Sequence, residues 1–232
     1  MSAELVIGAD GVRSTVAGLV GAETYKTGRH ATGVVFSYWA DTDISGYHWC
    51  YRPGVSVGVI PTNEGQACVF VSVPQQRFHD EVGGDVAAGY QRLLNECNRP
   101  LGAAVERATR AEKYRGFAGQ VGFFRQSNGP GWALVGDAGY FKDPLTAHGM
   151  TDALIDAELL ANAAVQGSQR ALEEYQSARD ERAMSLFDVT DAIASYDWDL
   201  TKVAELHRSL SDEMKKETAV VANWTANLPR YG

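Results

Sequence analysis

Two kinds of hydrophobic periodicity divide the chain. The segment ELVIGADGVRSTVAGLVG opens with a continuous apolar run, Leu5 to Ile7. Such a run predicts a strand buried on both faces, as in a parallel sheet sandwiched by helices. A helix-like stretch follows Asp10-Gly11. From about residue 29, RHATGVVFSYWADTD, YHWCYRPGVSVGVIPTNEG and QACVFVSVPQQ are rich in Val, Tyr, Phe and Trp and are punctuated by Arg52-Pro53-Gly54 and Asn63-Glu64-Gly65. This pattern predicts an antiparallel meander. GGDVAAGYQRLLNECNRPL places Tyr90, Leu93, Leu94 and Cys97 at helical spacing, with Pro100 expected to stop the helix. EKYRGFAGQVGFFRQSNGPGWALVG reads as strand, a turn at Asn128-Gly129-Pro130-Gly131, and strand.

Past residue 147 the helical period takes over. Ala153, Leu154, Ala157, Leu160, Ala161 and Ala164 predict a narrow, alanine-rich packing face. Gly167 separates the next helix, expected to run to about Phe187, and a third carries Trp198, Leu200, Val203, Leu206, Leu210 and Met214. The tail NWTANLPRYG is expected to be loose. The order strand–helix, antiparallel sheet, strand–helix, helices predicts an α/β (α+β) chain in which a parallel-sheet domain is interrupted by a β-rich insertion and then resumed. The boundaries expected are 1–28 and 119–166 for the interrupted domain, 29–118 for the insertion, and 167–232 for the C-terminal helices.

Composition narrows the function classes. The chain has 232 residues, 45% hydrophobic and 22% charged, so it can bury an ordinary core. With 21 basic and 29 acidic residues, the net charge of −8 argues against electrostatic capture of nucleic acid or of an anionic membrane. Three widely spaced cysteines, Cys50, Cys68 and Cys97, fit a reducing, cytoplasmic setting better than a disulfide framework. His48 and Cys50 would share a strand face, but no second ligand pair stands at metal spacing, so no metal site is expected. No apolar run is long enough to span a bilayer, and the first residues do not read as the charged-then-apolar stretch expected of a secretory signal.

The chemistry concentrates at two acidic turns. In GADGVRS, Asp10 has two readings. Its carboxylate can take up free amides of the following helix turn, or it can sit at the ligand-binding edge of an α/β sheet, with Arg13 and Ser14 on the first helical turn reaching an anion. In WALVGDAGYFKDPLTAHGMTDAL a strand ends in Gly136-Asp137, offering an acceptor for a sugar-like hydroxyl. Small residues there allow close backbone approach, Pro144 fixes the turn, and the helix begins near Thr146-Ala147-His148-Gly149 with bare amides and partial positive charge.

Together these stretches resemble the "DG" and "GD" motifs of the group A flavoprotein monooxygenases, the para-hydroxybenzoate hydroxylase family: Gly8-Ala9-Asp10-Gly11-Val12-Arg13-Ser14 and Gly136-Asp137-Ala138 with Pro144 and Gly149. The resemblance implies an incomplete Rossmann-like FAD-binding domain interrupted by an antiparallel β-sheet substrate domain. It implies that Asp137 holds a ribityl hydroxyl of FAD, that Pro144 sits near the flavin ring, and that the amides from Ala147 through His148 and Gly149 to Met150 face the ring's anionic edge. Asp10, Gly11 and Arg13 would lie near the pyrophosphate, and Gly136 would admit the cofactor. For His148 two readings stand: a positive or polar group adding to the helix field, or a residue that merely caps the helix or faces solvent.

The family's Gly-x-Gly-x-x-Gly segment does not occur in the chain, so the layout implies a preceding segment or a partner chain. The chemistry implied is hydroxylation of an apolar or aromatic small molecule by FAD with NADPH or NADH and O2. Tyr47, Trp49 and Tyr51, on one strand face, are the candidate substrate contacts, against the alternative of core packing. Two alternatives stay open. YHWCYRPGVSVGV partly resembles the motif of geranylgeranyl reductases, and the chain could be a non-catalytic half-domain that needs another polypeptide.

Overall fold

The computed structural model describes residues 3–226. In chain order the main elements are β1 (Val6–Gly8), α1 (Thr15–Val20), β2 (Thr24–Thr27), β3 (Thr32–Ala40), β4 (His48–Arg52), β5 (Val55–Pro61), β6 (Ala67–Pro74), α2 (Gln75–Val82), α3 (Val86–Cys97) and α4 (Arg99–Arg107). The short strands β7 (Thr109–Arg110), β8 (Arg115–Phe117), β9 (Phe123–Arg125), β10 (Asn128–Gly129), β11 (Trp132–Leu134) and β12 (Tyr140–Phe141) follow. Three long helices close the chain: α5 (Gly149–Gln166), α6 (Gln169–Ala194) and α7 (Leu200–Ala226). The chain divides into two compact units: residues 1–29, 121–191 and 205–232 in one, and residues 30–120 and 192–204 in the other.

The second unit is built on the meander. Its sheet runs β4-β5-β6-β3-β7, with β8 also paired to β3, and every pairing is antiparallel. Alternation sends Val35, Val57, Val69 and Val71 to one face, where they form a core with Tyr90, Leu93, Leu94 and Val105 of α3 and α4. Register puts Phe36, Tyr38, Trp49, Tyr51 and Phe70 on the other face. Gly58 lies under the Phe70 ring, which a Cβ there would strike. Pro100 does not stop the helical region. Asn98 ends α3 and caps α4, and Pro100 stands in the first turn of α4, where a missing N–H costs nothing.

The first unit holds two small sheets, β1-β11-β10 and β12-β9-β2, and the pair β1–β11 is parallel. The expected double burial of the first strand is not observed: Val6 is 48% and Ile7 45% exposed. Among the described residues β1 is an edge strand that pairs with β11, and its two apolar side chains are open to solvent. Phe124, Tyr140, Ala183 and Phe187 pack between β9, β12 and α6, while Ala133, Leu160, Ala163, Leu172 and Tyr175 join β11 to α5 and α6.

The C-terminal helices depart from the expected phases. Leu154 is 74% exposed, and the buried positions of α5 are Asp152, Ile155, Asp156, Leu160 and Ala163. The predicted alanine face is therefore rotated, and two aspartates outside it, Asp152 and Asp156, occupy the inner side. α6 continues past Phe187 to Ala194, and Trp198 precedes α7 rather than riding on it. The Trp198 indole N–H donates to the Ile193 carbonyl at 2.8 Å, and its ring meets Tyr51. Of the expected loose tail, residues 223–226 continue α7, and 227–232 lie outside the described residues. No helix among the described residues is long and apolar enough to cross a membrane.

Candidate functional site

Within the first unit, the turns after β1 and β11 open side by side, because those two strands run parallel and end together. Ligands bind α/β sheets at this carboxyl edge. A cavity of about 620 Å3 lies here, walled on the β1 side by Ala9 and Gly11 and on the other by Gly136, Asp137 and Pro144. The opening of α5 completes it, through Ala147, Gly149 and Met150.

The loop that carries these residues is shaped by special backbone. Gly136 has φ of +58°, and a Cβ there would crowd the Cβ of Ala153 on α5 at 3.2 Å. Asp143 caps the short turn Pro144–Thr146 by accepting from the Leu145 amide at 2.9 Å. Ala147 then takes φ of +52°, and His148 stands at the N-cap of α5 without a side-chain bond to the helix. The first amides of α5 therefore have no side-chain cap, and a helix end of this kind attracts negative charge. A Cβ added at Gly149 would meet nothing within 4 Å, so the space before the helix is free. Burial raises the Asp137 carboxyl above its ordinary value, against the opposing charge of Lys142.

At the first acidic turn the capping reading holds. Ser14 is the N-cap of α1, and its hydroxyl accepts from the Ala17 amide at 2.9 Å and donates to Asp10 at 2.5 Å. Asp10 also accepts from the amides of Thr15 at 2.7 Å and Val16 at 3.1 Å. These bonds, the one from Ser14 first, hold the exposed Asp10 carboxyl below its ordinary value. Arg13 stands ahead of α1 rather than on its first turn, because the helix begins at Thr15. Neither Asp10 nor Arg13 lines the cavity, although Ala9 and Gly11 on either side of Asp10 do. His148 neither caps α5 with its side chain nor faces solvent. It is turned inward, and its Nε2 contacts Glu217 of α7.

Behind the cavity wall lies a charge cluster that periodicity conceals. Lys142 pairs with Asp152, and Arg182 of α6 pairs with Asp152 at 2.9 Å, with Asp156 at 2.8 Å and with Glu217. All five side chains are 8% exposed or less. Burial drives the Lys142 ammonium down to about 7. Burial also raises Asp156, against the pull of Arg182. Burial alone would raise Glu217 too, but its bonds with His148 and Arg182 outweigh that and hold it low. His148, Asp152 and Glu217 converge closely enough for a metal ion, yet Arg182 already pairs with both acids. The one sequence sign of this cluster is an acid at Asp152 and again at Asp156, i and i+4 on a helix whose other inward positions are apolar.

In the second unit, Trp49 and Tyr51 share the open face of the sheet, and Tyr47 precedes β4 and is 71% exposed. Trp49 meets Phe70 edge-on at 5.3 Å, and Tyr51 meets Trp198 at 6.4 Å. A separate cavity of about 530 Å3 there is lined by Phe36, Tyr38, Asn63, Glu64, Glu112 and Arg115 rather than by that trio.

Comparison with known proteins bears on this geometry. The model of the family described as "FAD binding domain" matches residues 1–190. Digeranylgeranylglycerophospholipid reductase 1 of Methanococcoides burtonii is 28% identical over 186 residues, 75% of this chain and 43% of the reductase. Among solved structures, the flavin-dependent brominase Bmp2 superposes with a TM-score of 0.69 at 15% identity, covering 90% of this chain and 57% of the brominase. PqsL, a probable FAD-dependent monooxygenase from Pseudomonas aeruginosa, gives 0.57 at 22% identity, covering 91% and 59%. The chain thus spans between two fifths and three fifths of the length of these proteins. The structural likenesses establish a shared mixed α/β fold. The match over residues 1–190 establishes that the chain belongs to the FAD binding domain family.

Proposed function

We propose that this chain forms part of an FAD-dependent monooxygenase that uses NADPH or NADH and O2 to hydroxylate an apolar or aromatic small molecule. The observation that carries the reading is the cavity at the carboxyl ends of β1 and β11, where a half-buried carboxylate faces an uncapped helix N-terminus. These residues fit FAD. Asp137 is an acceptor for a ribityl hydroxyl, Gly11 and Gly149 leave room for close approach, and the first amides of α5 suit an electron-rich ring edge. Bound FAD would supply hydride acceptance and oxygen activation, while the protein binds, orients and excludes water. Pro144 and Met150 offer apolar surface to the cofactor. The open aromatic face around Trp49, Tyr51 and Phe70 is the candidate surface for an apolar substrate.

The test uses the full-length protein. FAD is titrated by its fluorescence, NADPH and NADH oxidation is followed with and without candidate aromatics, and oxygen uptake and hydroxylated product are measured together. Substrate-stimulated oxygen uptake matched by product supports the reading. FAD binding with oxygen-independent saturation of an isoprenoid double bond would overturn it in favour of a flavin-dependent reductase, the second reading, which the 28% identity to the archaeal reductase favours.

A further inference from the structure

Lys142 belongs to the wall of the 620 Å3 cavity, yet its side chain is 2% exposed and its ammonium is turned to Asp152 behind that wall. Five charged or titratable side chains besides Asp152 act on it or on its partners: Asp137 in the cavity, Asp156 on α5, Arg182 on α6, Glu217 on α7, and His148 through Glu217. The Tyr140 ring lies 5.4 Å from the ammonium. Counting Asp152, four of the groups are carboxylates, set against Lys142 and Arg182 with His148 beside them. Losing the Lys142 charge would deepen the excess of negative charge behind a cavity opened by a bare helix N-terminus, from four acids against two cations to four against one. Inside a dry wall such a charge is poorly screened and acts across several ångströms.

We propose that Lys142 is a positioning residue whose buried ammonium, clamped by Asp152, sets the field of the cavity so that it favours the anionic, reduced form of FAD over the neutral oxidised form. The inference rests on the FAD reading of the cavity. Burial brings the ammonium down to about 7, so the cation is present below neutral pH and is lost above it. An arginine at the same place keeps its charge throughout.

The experiment compares full-length wild type, K142R and K142M, each titrated with FAD and then poised with redox mediators to give the two-electron midpoint potential at pH 6 and pH 8.5. The potential reports the ratio of affinities for reduced and oxidised FAD. Protonations of the flavin itself are common to all three proteins, so only differences between them count. Wild type is expected to match K142R at pH 6 and K142M at pH 8.5. The separation between the two variants should be about tenfold in that ratio, or about 30 mV. If K142M does not fold by far-UV circular dichroism, K142Q carries the same comparison. Parallel pH courses for all three proteins, or K142R tracking K142M, would overturn the inference while leaving the FAD reading intact. Failure of wild type to bind FAD would overturn the reading itself, and the inference with it.

Discussion

Arg182→Met removes the cation that joins three carboxylates. Arg182 pairs with Asp152 at 2.9 Å, with Asp156 at 2.8 Å and with Glu217, and the three acids are 5%, 0% and 5% exposed. Methionine fills most of the same volume, so the change is one of charge rather than of packing. Lys142 and His148 remain, but Lys142 reaches Asp152 and His148 reaches Glu217, which leaves Asp156 without its pair. Removing one member of a buried ion pair costs about 3–5 kcal/mol. For a chain of this size each kcal/mol moves the thermal midpoint by roughly 2–4 °C, so the apparent midpoint should fall by about 6–20 °C. Far-UV circular dichroism during heating at pH 7 measures it, and adding Asp156→Asn to the variant should recover part of the loss. A fall below about 2 °C would refute the reasoning, because it would price the cluster like exposed surface pairs.

Three further outcomes are expected. Ser14→Ala removes the cap that bonds both the Ala17 amide and Asp10, and should raise hydrogen exchange at Ala17 about fivefold, equivalent to about 1 kcal/mol; unchanged exchange would count against the cap. Gly58→Ala drives a Cβ into the Phe70 ring, so a loss of about 1–3 kcal/mol should accompany a change in tryptophan emission, since Trp49 lies against that ring. Glu217 has a folded value held below its ordinary 4.5, so its contribution is present above that pH and lost as pH falls through the depressed value. Glu217→Gln should therefore unfold more easily at pH 7 and show a shallower loss of stability on acidification, which denaturation midpoints across that range would check.

Alternation makes the meander legible, because β5 and β6 carry valines every second residue and need one covered face. The turn residues after β11 are legible for a related reason: glycines, an acid and a proline in that order restrict the backbone more than packing does. The charge cluster is not legible. Helical periodicity assumes that aspartates face water, and on α5 that assumption turns the helix the wrong way. The partners that overturn it, Arg182 and Glu217, come from α6 and α7, dozens of residues downstream, and nothing local signals their arrival. Pro100 misleads for a simpler reason, since the same ring that ends one helix is well suited to begin another.

The cluster also sets the size of the smallest piece that can be moved between proteins. A segment cut at residues 132–167 looks self-contained, with its strand, turn and helix bounded by Gly131 and Gly167. Transplanted alone, it would carry Lys142, Asp152 and Asp156 but leave Arg182 behind. The helix that faces the cavity would then arrive with an unpaired acid on its inner side, and would turn that side toward solvent. The turn after β11 and the two helices behind it are therefore one heritable part, to be exchanged together or not at all.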